Sequence, residues 1–258
     1  MKNVFQDLAE NPHLTMLNLE ETADLLLRTP TDSLPVVRED LNAFKICLRE
    51  VNADVRKAID QAELINMDGM SMVFAYKFLY GRALPRVAGC DLFLYLLSRF
   101  EITKKTAYFL GATQETIDSL VKIVSSRHSK TIIAGARNGY FRGSDWEEII
   151  DTINNSRADF LFIGTPSPQK EEFVNFAKSR LRNGMVLMGV GGSFDVLAGK
   201  VQRAPVWMQR WGLEWLYRFL QEPRRMWKRY LVTNTKFLLF LLMAKCSLVC
   251  GSSEEPRA

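Results

Sequence analysis

The sequence predicts an α/β fold, a mostly parallel sheet with helices on both faces. Two observations carry the prediction. Short apolar runs alternate with amphipathic stretches up to about residue 190, and several of the runs end in glycine. The candidate strands are Leu34–Val37, Glu63–Asn66, Thr106–Leu110, Thr131–Ala134, Asp159–Ile163 and Met185–Val190, and Gly111, Gly135, Gly164 and Gly191 stand at their ends. Thr113–Ser126, Asp145–Asn154 and Gln169–Leu181 read as amphipathic helices between them. A repeated strand–turn–helix unit brings each strand back in the same direction, so neighbours pair in parallel. Ligands of such sheets bind beyond the carboxyl ends of the strands, which makes the turns there the first place to look for chemistry.

The chain has 258 residues, 47% hydrophobic and 24% charged, with a formal net charge of +5. That is enough to bury a core without disulfides. Mild basicity points to an anionic partner without choosing its kind. The cysteines at 47, 90, 246 and 250 form no CxxC pair, so a zinc site or disulfide framework is not expected. The first residues carry Asp7, Glu10 and Pro12 and no apolar segment, so they do not read as a secretory signal, and a cytoplasmic location is expected.

Composition changes near residue 200. From Arg203 to Arg229 there are seven Arg or Lys against two Glu, and Trp207, Trp211, Trp215 and Trp227 fall in the same stretch. The run Phe237–Cys250 follows with one charge, Lys245. The expected organisation is a catalytic core over 1–199, a helical appendage over 200–250 and a disordered tail over 251–258. Aromatic rings with polar edges and basic side chains suit a membrane interface. The apolar run counts 14 residues, short of the roughly 20 a span requires, so the segment is expected to lie on a membrane. A helix pair buried against the main domain or in an oligomer, and a true transmembrane helix, are the competing readings.

Three turns stand out. Asp68, in INMDGM, follows an apolar strand and can serve as a general base, or can cap a helix over Met70–Tyr80. Gly189 to Asp195 form a glycine-rich turn whose amides, at Gly191 and Gly192 above all, can hold a diphosphate. With Phe194 where a last glycine would stand, the turn is a weak dinucleotide fingerprint, and a plain strand-to-helix turn is the alternative. Gly164 to Glu171 form a third turn, with Lys170 in the first turn of the next helix. No Asp-x-Asp occurs, so no metal is expected on a donor diphosphate, and cationic side chains and amides take that charge.

The blocks MDGM, ALPRVAGCDLF, RNGYF, GTPSPQKE and GVGGSFDVLAGKVQRAPVWMQRWGLEWLYRFLQEPRRMWKRY occur in the order of the WecG/TagA/CpsF glycosyltransferases. The chain resembles that family over about residues 15 to 232. The resemblance implies a Rossmann-like core with a C-terminal helical appendage. It implies an inverting, metal-independent transferase that uses a UDP-sugar and a polyprenyl-diphosphate-linked sugar in cell-surface polysaccharide assembly, at the inner face of the membrane. It also implies roles: Asp68 as base, Arg86 near the active site or its diphosphate, Tyr140 stacked on uracil, Asp195 on the base edge, Asn42 at the early T-x-N segment, and Arg218 and Arg225 on the acceptor diphosphate. Two positions depart from the pattern. Asp40 stands for the threonine of T-x-N, and Lys170 for the glutamine of P-K-Q-E. An Asp40–Lys170 ion pair is expected to replace the two neutral groups, and it leaves the donor open between a hexose and an N-acetylhexosamine. Nucleic acid is not an expected partner, and the oligomeric state, a homo-oligomer included, is left open. The rival readings are a nicotinamide-dependent oxidoreductase and a non-catalytic membrane-associated binding protein.

Overall fold

The computed structural model describes residues 4–128 and 132–251, apart from the side chains of residues 132, 225, 226, 229, 250 and 251. Six strands form one sheet: β1 (Val36–Leu41), β2 (Leu64–Met67), β3 (Thr106–Gly111), β4 (Ile132–Arg137), β5 (Phe160–Gly164) and β6 (Val186–Gly189). Their spatial order is β2-β1-β6-β5-β3-β4, and every neighbouring pair is parallel. The fold is therefore the expected Rossmann-like α/β sheet.

Alternate residues feed two cores, as the two-residue period of a strand requires. Leu41, Ile65, Leu110, Ile163 and Leu187 face one, with the helices Ala43–Arg49, Ala53–Asp60, Met70–Tyr80 and Gln169–Ala177 over them. Leu64, Phe109, Phe162 and Met188 face the other, under the helices Leu19–Leu27, Gly89–Thr103 and Gln114–Arg127. Strands covered on both faces read as unbroken apolar runs, which is why most of them stand where the sequence places them. The start expected at Thr131 lies outside the described residues.

β1 is the exception. The expected strand Leu34–Val37 is displaced, and the observed one runs through Arg38, Glu39 and Asp40. Arg38 and Glu39 are wholly buried there. Charges are tolerated inside a strand when each meets a buried partner, and those partners come from other elements.

The basic, aromatic region forms two short helices, Val206–Arg210 and Glu214–Gln221, and then one helix of 29 residues, Pro223–Gly251. That last helix packs on the helices Val4–Glu10, Ala43–Arg49 and Met70–Tyr80. Thr233, Phe237 and Ala244 are buried in the contact. The Phe237 ring meets Phe5 edge-on at 5.8 Å, and the Cys47 thiol donates to the Thr233 carbonyl at 3.5 Å. The opposite face leaves Leu238, Leu239, Leu242 and Met243 exposed. The stretch Tyr230–Val249 has 20 residues and is long and apolar enough to cross a bilayer, yet one of its faces is docked on the domain. The expected tail falls largely on 252–258, outside the described residues.

Docking of this kind has a measurable consequence. Phe237→Ala leaves a cavity beside Phe5 and is expected to cost about 3 kcal/mol of stability in urea unfolding. An unchanged midpoint contradicts the docking.

Candidate active site

The carboxyl ends of β1 and β2 carry the densest group of charges. Arg38, Asp40, Asn66 and Asp68 lie on one side of the sheet, because β1 and β2 pair in parallel with Asp40 opposite Asn66. Arg38 donates from Nε to Asn66 Oδ1 and from Nη2 to the Val87 carbonyl, both at 2.9 Å. Its Nη1 is buried with no hydrogen-bond partner and lies 3.9 Å from Asp40 Oδ1.

Asp68 is half-buried, and its Oδ1 accepts the Gly89 N–H at 2.9 Å. Gly89 opens the helix Gly89–Thr103, so the carboxylate sits at that helix's positive end. The cap of the helix Met70–Tyr80 is Gly69, with no side-chain bond, so Asp68 does not have the capping role that competed with the base reading. Among the described residues no donor engages its Oδ2. Burial pushes the Asp68 carboxyl up and the charge of Asp40 adds to this, while the Gly89 N–H, Arg38 and Arg86 oppose it; the net direction is upward. A carboxylate with one oxygen held, one free and a raised pKa is suited to take a proton.

Glu39 points to the other side of the sheet. Lys170 Nζ meets both its oxygens, at 2.7 and 2.8 Å, and also Glu171 at 3.0 Å. Lys45 bridges the two sides, with its Nζ 2.6 Å from Glu39 and 2.9 Å from Asp40. The expected Asp40–Lys170 pair is thus corrected. Lys170 pairs with Glu39, and Asp40 pairs with Lys45. Adjacent strand residues face opposite ways, and Lys170 comes from a helix on the Glu39 side, its stem crossing Gly189 so closely that a Cβ there would lie 2.6 Å from Lys170 Cδ. Burial alone would raise the Asp40 carboxyl, but Lys45, Lys170 and Arg38 hold it well below the ordinary range. The Glu39 carboxyl is likewise pushed up by burial and held down by Lys170 and Lys45.

Asn42 caps the helix Ala43–Arg49, its Oδ1 accepting the Lys45 N–H at 3.1 Å, and its Cβ lies 3.2 Å from where Gly69 would carry one. Arg86 donates to the Asp68 carbonyl and to Glu214, each at 2.8 Å. Glu214 also accepts from Arg203 at 3.3 Å, and Arg203 pairs with Asp91. Arg86 therefore fastens the helix Glu214–Gln221 to the strand end that holds Asp68.

The ends of β3, β5 and β6 are nearly bare of side chains. A Cβ on Gly111 would lie 2.5 Å from the Gly164 backbone, and Gly191 has a positive φ of 51° that a side chain would strain. A Cβ on Gly192 would lie 3.6 Å from the Arg218 guanidinium, so Arg218 sits over the glycine turn. Asp195 accepts from Thr116 Oγ1 at 3.2 Å, in the first turn of the helix Gln114–Arg127. Gln114 of the same turn accepts from Asn138 Nδ2, which precedes Tyr140, and the Tyr140 ring is 79% exposed. Asp195 and Tyr140 are thus brought to the same helix end. The Arg225 side chain lies outside the described residues. Arg38, Glu39, Lys45, Thr116 and Arg203 were not singled out in the sequence; Arg38, Thr116 and Arg203 take their places through partners distant in the chain, Glu39 through distant Lys170 and nearby Lys45, and Lys45 through Glu39 and Asp40 shortly before it in the chain.

Glycine turns, a half-buried carboxylate and several guanidinium groups thus gather at the carboxyl ends of the strands, where sheets of this kind hold their ligands. Residues 11–249 match the Glycosyl transferase WecG/TagA/CpsF family, and the chain belongs to that family. It is similar to the N-acetylglucosaminyldiphosphoundecaprenol N-acetyl-beta-D-mannosaminyltransferase of Bacillus spizizenii, 35% identical over 180 residues that cover 70% of this chain and 68% of the relative. The chain is a glycosyltransferase, and the oxidoreductase and binding-protein readings fall away.

Proposed function

We propose that the chain moves a hexose or N-acetylhexosamine from a UDP-sugar to a polyprenyl-diphosphate-linked sugar, inverting the anomeric centre without a metal. The observation that carries this is the pairing of a half-open carboxylate, Asp68, with a cation-flanked glycine floor at one sheet edge. The name of the Bacillus spizizenii relative specifies a diphosphoundecaprenol acceptor of the same class. Asp68 takes the proton of the acceptor hydroxyl as that oxygen bonds the anomeric carbon. UDP departs from the opposite face, with Arg218 and the Gly191–Gly192 amides stabilising its charge. Tyr140 and Asp195 hold the uracil, Asn42 and Lys170 shape the sugar side, and Arg86 keeps the appendage closed on Asp68. Asp40 and Lys170 stand where the family motif has threonine and glutamine, so the relative's N-acetylmannosamine is not carried over as donor. A panel of UDP-sugars with a short-chain polyprenyl-diphosphate sugar, read by product linkage, tests the reading; transfer from no UDP-sugar contradicts it.

Arg218→Ala is expected to lower kcat/KM about 100-fold, the scale for losing one donor to a developing anion, with no change in melting temperature. Unchanged kinetics remove Arg218 from the site. Arg225 is proposed to join it on the acceptor diphosphate.

Residues 200–250 are proposed to serve as acceptor and membrane appendage, seating the enzyme on the inner face of the membrane. Trp207, Trp211 and Trp215 are exposed, as is the Leu238–Met243 face. Phe74 and Phe78, on the helix Met70–Tyr80, add two exposed rings, and Lys245 donates to the Phe78 carbonyl at 3.1 Å. Deleting this helix would uncover the Phe5 core, so surface changes are the cleaner test. Leu238→Ser with Leu242→Ser is expected to reduce flotation with anionic liposomes several-fold and to leave folding intact. Flotation equal to wild type at low and high salt contradicts the seating.

A further inference from the structure

Among the described residues, the charges paired with one another at the ends of β1 and β2 do not balance. Four carboxylates, Glu39, Asp40, Glu171 and Asp68, meet three cations, Arg38, Lys45 and Lys170. The groups outside them are matched, Arg86 and Arg203 against Glu214 and Asp91. The cluster is neutral only when one carboxylate holds a proton. Glu39 is bonded by two lysines, Asp40 by one with Arg38 beside it, and Glu171 by Lys170 and the Ser167 hydroxyl. Among the described residues, the Asp68 carboxylate has a single backbone N–H as donor. It is the site left for the proton.

We propose that Asp40 is a positioning residue that acts through Asp68: fixed as a permanent anion beside it, Asp40 brings the buried cluster to charge balance only when Asp68 has taken the acceptor's proton. This rests on Asp68 being the base. The geometry places the two together. Arg38 Nη1 lies 3.9 Å from Asp40 and 3.7 Å from where Gly89 would carry a Cβ, and Gly89 donates to Asp68. The charged groups around Asp68 are Asp40 and Arg38 from β1, Lys45 behind Asp40, Arg86 from the segment after the helix Met70–Tyr80, Glu214 through Arg86, and Asp91 on the helix Gly89–Thr103, held by Arg203. Asp40 stands where the family motif has a neutral threonine, so the device belongs to this chain. In the step itself the acceptor O–H breaks and its proton goes to Asp68. The oxygen bonds the anomeric carbon, whose bond to the UDP oxygen breaks with the electron pair leaving on UDP. The proton later passes to solvent from the half-exposed carboxyl. A neighbouring anion raises the proton affinity of a carboxylate. The raised direction of the Asp68 carboxyl, caused first by burial and then by Asp40, agrees.

The test is kcat/KM against pH for wild type, Asp40→Asn and Asp40→Thr, with the UDP-sugar and short-chain acceptor selected by the panel above. Removing the Asp40 charge leaves Asp68 ionised in a balanced cluster, so the acid limb is expected to move down by about one pH unit in both variants. An acid limb unmoved in both overturns the inference. Asp68→Asn run alongside separates the two claims: if it retains wild-type turnover, the base assignment falls and takes this inference with it, whereas an inactive Asp68→Asn beside unmoved Asp40 variants overturns the inference alone. The asparagine keeps the shape of Asp40 and the threonine is the family residue, so the comparison survives if either destabilises the fold.

Discussion

Replacing Asp68 by asparagine is expected to lower turnover by about 100-fold or more, the usual scale for losing a general base. The amide oxygen still accepts the Gly89 N–H, and Gly69, not Asp68, caps the following helix. Folding and UDP affinity should therefore persist, read as a UDP-induced rise in melting temperature equal to that of wild type. What disappears is the free Oδ2 that takes the acceptor's proton. Wild-type-like turnover removes Asp68 from the chemistry. A loss of both turnover and UDP stabilisation shows instead that Asp68 builds the site without acting in the reaction.

Lys170→Gln is expected to cost about 3 to 5 kcal/mol of stability in urea unfolding, because it strands two buried carboxylates. Glu39 would keep Lys45 alone, and Glu171, wholly buried and with Oε2 already unpartnered, would keep the Ser167 hydroxyl and the more distant Lys45 at 3.7 Å. Adding Glu39→Gln is expected to recover part of that loss, while adding Asp40→Thr recovers less, since Asp40 answers to Lys45. Equal recovery from both contradicts the pairing described above. The pH dependence has a definite sign. Glu39 and Asp40 are held below their unfolded values of 4.5 and 3.8, so their contribution is present above those values and is lost as the pH falls through the folded ones. Asp68, raised, works in the opposite direction and softens that loss.

Much of the framework was legible because β2, β3, β5 and β6 are covered on both faces and so must be apolar. β1 was misplaced for the complementary reason. Arg38, Glu39 and Asp40 forbid a buried strand unless Lys45, Lys170 and Asn66 arrive to pair with them, and no local pattern announces partners 28 or 131 residues away. Asp68 and Lys170 could be singled out because they follow strand ends, and Arg86 because it falls in a motif of the family the chain resembles. The Asp40–Lys170 pair failed on one residue of strand phase, since Glu39 and not Asp40 faces the lysine's helix. The two surfaces of the last helix were not legible, because an apolar run does not say which of its residues dock, whereas Thr233 and Phe237 lie buried on one face and Leu238 and Leu242 exposed on the other.

The most direct test of the transferase reading is UDP release measured with and without a polyprenyl-diphosphate-linked sugar, in the presence of each candidate UDP-sugar and of a metal chelator. Release that requires the lipid-linked acceptor, persists in chelator and yields a product of inverted anomeric configuration is the expected result. Release that proceeds equally without acceptor, that stops when divalent metal is removed, or that yields a retained linkage would contradict it.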